Sequence, residues 1–143
     1  MLSASAGSGE ATVVLVVEDE PSVLDTVSLI LQRAGFGVLC APGPPEALAL
    51  AREHAGRIDL LLLDIVLPGL HGPQLAERIS PFRPEARWMF MAGYPDGPEV
   101  ARLAELGLPF LAKPFQPAEL VAKVRDALRA PVRRTPAAAG ASA

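Results

Sequence analysis

The chain has 143 residues, half of them hydrophobic and a fifth charged, with a net charge of -3. That length suits one domain with a sizeable core, and the acid excess gives no reason to expect the basic face that nucleic-acid binding usually needs. A single cysteine, Cys40, excludes an intrachain disulfide, and no apolar run is long enough to span a membrane.

Residues 1–11 are rich in Ser, Gly and Ala and are expected to be disordered. They lack the basic start and long apolar stretch of a signal peptide, so a cytoplasmic location is the expectation. Thr12–Val17 then reads as a buried, β-branched strand that runs into Glu18, Asp19 and Glu20. Pro21 fits the first turn of a helix, where its missing N–H costs nothing. Val23, Val27, Ile30, Leu31 and Ala34 fall on one face of that helix, and Gly35 closes it as a left-handed cap. Phe36–Ala41 is a second strand. Within it Cys40 is expected to be a small core residue rather than a reactive thiol. Gly43-Pro44-Pro45 opens a helix over Pro45–His54, with Ala47, Leu48 and Ala51 inward. His54 is expected at a solvent position near the helix end, because no second metal ligand stands at helical spacing.

Four leucines, Leu60 to Leu63, run straight into Asp64, and Pro68-Gly69 follows. Asp59–Leu63 is the third strand, apolar enough to be buried on both faces. Asp64 is by itself either a strand cap or a reactive group at the mouth of a sheet. Gly72-Pro73 punctuates the next loop, where His71 reads as exposed rather than as a general base. A helix over Pro73–Ser80 turns Leu75 and Ile79 inward. Arg87–Met91 is the fourth strand, with a loop Ala92-Gly93-Tyr94-Pro95 and a helix over Gly97–Leu106 that ends at Gly107. Leu108–Ala112 is the fifth strand and leads to Lys113-Pro114. Pro117–Ala130 is the last helix, with Leu120, Val124, Ala127 and Leu128 on one stripe. Residues 131–143 are Pro, Ala and Arg with nothing to bury, and are expected to be a disordered tail.

Five strands alternating with five helices imply an α/β fold, a doubly wound parallel sheet with right-handed crossovers. Sites in such sheets form beyond the carboxyl ends of the strands. Glu18 and Asp19 stand there after strand one, Asp64 after strand three and Lys113 after strand five. Three close carboxylates repel one another and need a cation. An all-oxygen set with open positions suits Mg²⁺, and Lys113 offers a point charge to an anion such as a phosphoryl group.

This set resembles the receiver domain of two-component response regulators. The matching residues are Glu18-Asp19, Asp64 in Asp-Ile-Val-Leu-Pro-Gly-Leu-His-Gly, and Lys113-Pro114-Phe115, and the likeness covers about residues 12 to 130. The phrase Phe90-Met91-Ala92-Gly93-Tyr94 is most similar to receivers attached to hybrid histidine kinases. The resemblance implies a flavodoxin-like sheet of order 2-1-3-4-5. It implies that Asp64 is the phosphoacceptor, taking a phosphoryl group from a histidine kinase or histidine phosphotransfer domain. Asp19, Asp64 and the backbone carbonyl of Val66 would bind Mg²⁺, with Glu18 acting through a water. Lys113 would pair with a phosphoryl oxygen, and the Lys113–Pro114 bond would be cis. Val66 and Tyr94 stand at the two positions that tune phosphoryl lifetime in this family, and Phe110 at the aromatic switch position. As a phosphoacceptor the domain would assist its own phosphorylation and dephosphorylation without being an enzyme in the usual sense.

One position departs from the pattern. The family normally carries Ser or Thr where this chain has Ala92, so switching is expected to be altered. A pseudo-receiver that binds partners without phosphate is the alternative. A hydrolase with an aspartyl nucleophile is disfavoured, because the acid expected two residues after Asp64 is replaced by Val66. With no DNA-binding module after the last helix, output is expected through a protein partner, a phosphotransfer protein or domains outside this chain. No nucleic acid or direct membrane contact is expected, and a homodimer is left open.

Overall fold

A computed structural model describes residues 11–93 and 96–132. The expectations for most of the two chain ends, and for Tyr94, therefore lie outside the described residues. The elements in order are β1 (Val13–Val17), α1 (Pro21–Arg33), β2 (Gly37–Ala41), α2 (Pro44–Glu53), β3 (Leu60–Asp64), α3 (Gly72–Ile79), β4 (Arg87–Ala92), α4 (Pro98–Glu105), β5 (Phe110–Ala112) and α5 (Pro117–Arg129). All strand pairs are parallel and the sheet order is β2-β1-β3-β4-β5. No helix among the described residues is long and apolar enough to cross a membrane.

The sheet divides two cores by residue parity. In β3, Leu60 and Leu62 point to the side covered by α1 and α5, while Leu61 and Leu63 point to the side of α2, α3 and α4. β1 does the same with Val14 and Val16 against Leu15 and Val17. Burial on both faces is why these strands read as unbroken apolar runs rather than as alternating ones. Each fully buried leucine contributes about 2 kcal/mol, so the central strand is fixed in place by its own sequence. On β4, Trp88 and Phe90 meet edge to face with ring centroids 6.4 Å apart.

Several expectations shift by a residue. Asp64 is the last residue of β3 rather than a cap beyond it, paired in register with Met91. Ala92 likewise belongs to β4 and pairs with Ala112. β5 is shorter than expected, because Leu108 and Pro109 precede the ladder; a proline has no N–H to give it. The buried stripe of α1 is Leu24, Val27, Ser28 and Leu31, rotated from the expected face, with Val23 and Ile30 half-buried at its flank. Gly35 does adopt a positive φ of 100° just past the helix end.

Cys40 is corrected outright: it is exposed. β2 is an edge strand whose outward parity is only partly covered by α1, and Val38 beside it is half-buried as well. The strand's apolar composition does not reveal that it lies at an edge.

Candidate functional site at the carboxyl edge of the sheet

Glu18, Asp19, Asp64 and Lys113 come together at one edge. β1 delivers Glu18 one residue past its end, and Glu18 N–H donates to the Ala41 carbonyl of β2. β3 delivers Asp64 directly. Lys113 follows β5, its own N–H donating to the Ala92 carbonyl at 2.8 Å. The Lys113–Pro114 peptide bond is cis.

The Lys113 ammonium donates to Glu18 Oε1 at 2.7 Å and to Asp64 Oδ2 at 2.8 Å. These partners lie 95 and 49 residues away in sequence. Asp64 Oδ1 accepts from the Val66 N–H at 3.2 Å, and Glu18 Oε2 accepts from the Glu20 N–H at 3.1 Å. Glu18 is 1% exposed and Asp64 6%. Asp19 is exposed, and among the described residues no hydrogen bond engages its carboxylate.

Burial pushes the Glu18 carboxyl above its ordinary range. The Lys113 and Glu20 hydrogen bonds offset this only in part, and the Asp64 charge adds to the rise. Burial pulls the Lys113 ammonium down, but its hydrogen bonds to Asp64 and Glu18, with their charges, outweigh that and hold it above its ordinary value. The three acids each offer an oxygen within 4.8 Å of the others. One lysine against three carboxylates leaves an excess of two negative charges. That donor set is all oxygen, partly open through Asp19, and fits a hard divalent cation such as Mg²⁺.

Of the remaining sequence candidates, Val66 and Ala92 lie beside this edge, whereas His54, past the end of α2, lies at the opposite edge of the sheet. Val66 is 52% exposed beside Asp64. Ala92 is buried at 2% and lines a cleft of about 310 Å³ with Ile65, Val66, Gly93, Pro98 and Val100. Phe110 is half-buried at the margin of the core on the α2–α4 side, in register with Phe90. His54 is half-buried past α2 and meets no metal-ligand partner among the described residues. His71 is exposed, as expected from the sequence. Its Nδ1 lies 2.8 Å from Glu99 Oε2, joining the loop after β3 to the first turn of α4. No local pattern signals that pair, because the two residues meet only through the fold.

Residues 14–125 match the response regulator receiver domain family. This chain belongs to that family. The receiver is 34% identical over 122 residues to the sensor kinase CckA of Brucella abortus (strain 2308), covering 85% of the chain and 13% of that protein. It is 34% identical over 117 residues to the DNA-binding response regulator MtrA of Mycolicibacterium smegmatis, covering 81% of the chain and 50% of MtrA. The chain thus spans half or less of these curated relatives. Among solved structures, the receiver domain of the hybrid histidine kinase CckA superposes with a TM-score of 0.70 at 36% identity, covering 82% of this chain and 99% of that one. A CheY-like receiver from Methanospirillum hungatei gives 0.73 at 28% identity, covering 83% and 94%. Both the hybrid-kinase likeness and the strand order expected from the sequence hold.

Proposed function

We propose that residues 12–130 form a receiver that accepts a phosphoryl group on Asp64 from a histidine kinase or histidine phosphotransfer domain. The observation that carries this reading is the Lys113 ammonium held between Asp64 and Glu18 at the sheet edge. An Asp64 oxygen forms the new O–P bond as the N–P bond of the donor phosphohistidine breaks. The electron pair returns to the imidazole, which takes up a proton. Lys113, already 2.8 Å from the carboxylate, is placed to follow the charge onto a phosphoryl oxygen. Asp19, Asp64 and the Val66 carbonyl would hold Mg²⁺, with Glu18 acting through a water, and the ion would neutralise phosphoryl charge. Both Glu18 oxygens already have partners, which suits that indirect role. An ATP-fed donor kinase fits a cytoplasmic location.

The test is to incubate the chain with acetyl phosphate and Mg²⁺ and map the product by mass spectrometry. One phosphoryl adduct on Asp64 is expected. No adduct would favour the pseudo-receiver reading, for which Ala92 is the motive.

Ala92 leaves coupling weak on this reading, because a methyl cannot hydrogen-bond a phosphoryl oxygen. Ala92→Ser restores a hydroxyl beside an existing cleft. A hydrogen bond to a charged oxygen is worth about 1.5–3 kcal/mol, so the variant should hold beryllofluoride roughly tenfold or more tighter. The Phe110 ring resonances should respond to beryllofluoride more strongly in the variant. Equal affinity and equal response in the two proteins would remove Ala92 from the account.

Lifetime is the second consequence. Val66 has no acid or amide to orient a hydrolytic water, so the phosphorylated state should outlast minutes. Val66→Asn should shorten it several-fold, followed as loss of the adduct after desalting. Decay of the natural chain within seconds would contradict this.

A further inference from the structure

Gly72 stands eight residues after Asp64, as the first residue of α3, yet it returns to the backbone of Asp64 itself. Its N–H donates to the Ile65 carbonyl at 2.8 Å. A Cβ built at this position falls on the Asp64 carbonyl oxygen, well under the 3.0 Å that real Cβ atoms keep. It would also lie 3.1 Å from the Asp64 carbonyl carbon and 3.2 Å from the Ile65 Cα. All three neighbours are backbone of the strand end, so no flexible side chain can yield. The conformation of Gly72 is ordinary, since its φ is not among the positive ones. What requires glycine here is the close approach.

That approach bears on the acid. The run Asp64-Ile65-Val66 is folded so that the Val66 N–H reaches Asp64 Oδ1. Gly72 closes the same loop from outside by binding the Ile65 carbonyl between them. A side chain at 72 must push the Asp64–Ile65 peptide away by roughly half an ångström or more to reach even a tight contact. The push lands on the residue whose oxygen must line up with the incoming phosphorus.

We propose that Gly72 is a positioning residue for Asp64: the start of α3, seated without a Cβ on the Asp64 carbonyl, holds the carboxylate and the Val66 amide in reacting alignment. This rests on the reading of Asp64 as phosphoacceptor. Gly72 touches no reacting atom and acts only through the Asp64–Val66 backbone.

The test compares Gly72→Ala with Gly35→Ala in the full chain. Gly35 has a φ of +100° with nothing within 4 Å of an added Cβ, so its variant is strained without touching Asp64. Labelling of Asp64 by acetyl phosphate with Mg²⁺ is timed for each protein, and urea melts record stability. A misplacement approaching 1 Å costs on the order of a hundredfold in rate, so Gly72→Ala should label roughly ten- to a hundredfold more slowly. Gly35→Ala should lose stability and label at the natural rate. Labelling of Gly72→Ala within twofold of natural, or equal slowing in Gly35→Ala, overturns the proposal while leaving the Asp64 reading intact. A natural chain that takes no phosphoryl group at Asp64 overturns both. Should Gly72→Ala fail to fold, amide exchange on the natural chain decides. The Gly72 amide should stay protected with and without beryllofluoride and Mg²⁺, and fast exchange of it would show that the seat is not held.

Discussion

Asp64→Asn should abolish the phosphoryl adduct and leave the fold almost as stable as before. The amide oxygen that replaces the carboxylate carries no charge and is a poor nucleophile, so the new O–P bond has nothing to form from. The surrounding structure argues for a small stability effect. Asparagine keeps an oxygen for the Val66 N–H, now 3.2 Å from Oδ1. Lys113 keeps Glu18 as its partner at 2.7 Å, so the buried Glu18 charge is not stranded. One carboxylate fewer also relieves repulsion against Glu18, whose carboxyl the Asp64 charge pushes up. The expected result is complete loss of labelling by mass spectrometry with a change in urea midpoint worth less than about 1 kcal/mol. Persistent labelling elsewhere in the chain would remove Asp64 from its role. A collapse in stability would make it a structural group first.

Arg83→Ala should be strongly destabilising although it lies away from the site. Arg83 follows α3 and reaches across to the end of α2. Its Nε donates to the Ala51 carbonyl at 2.7 Å, and its two terminal nitrogens donate to the carbonyls of His54 and Gly56, each at 2.5 Å. The last carbonyls of a helix have no partner within the helix, and a cation there also meets the negative end of the helix dipole. The side chain is only 12% exposed, so water does not readily take over. Glu85 lies 3.6 Å from Arg83 and accepts the Ile58 N–H, which extends the clamp to the start of β3. Hydrogen bonds from a charged donor are worth about 1.5–3 kcal/mol each and do not add fully. We expect a loss of about 3 kcal/mol and a fall in Tm on the order of 10 °C, measured by thermal and urea unfolding. Arg83→Lys should recover little, since one ammonium cannot span three carbonyls. Labelling of Asp64 in folded protein should be unchanged, because α2 ends at the opposite edge of the sheet. A loss below about 1 kcal/mol would mean that water satisfies the three carbonyls.

The chain's own order determined much of this protein. The unbroken runs Val13–Val17 and Leu60–Leu63 read as strands buried on both faces, and their alternation with helices implied a parallel sheet. Parallel strands bring every carboxyl end to one edge, so Glu18, Asp19, Asp64 and Lys113 share that edge. Periodicity and element order are carried directly by the sequence.

Only the tertiary structure decided how those residues pair. That Lys113 serves Glu18 and Asp64 at once depends on its ammonium lying within 3 Å of both carboxylates, which come from the ends of β1 and β3. The exposure of Cys40 depends on β2 being an edge, which its composition does not state. Nothing local in the sequence sets Arg83 apart; only the packing of α3 beside α2 brings it to the carbonyls of Ala51, His54 and Gly56. Gly72 looked like loop punctuation beside Pro73. Its reason is a close approach to the backbone of Asp64, and a contact between chain segments leaves no periodic mark in either of them. Local patterns fix which elements form and where they end. The packing of one element on another fixes which of their residues can be replaced.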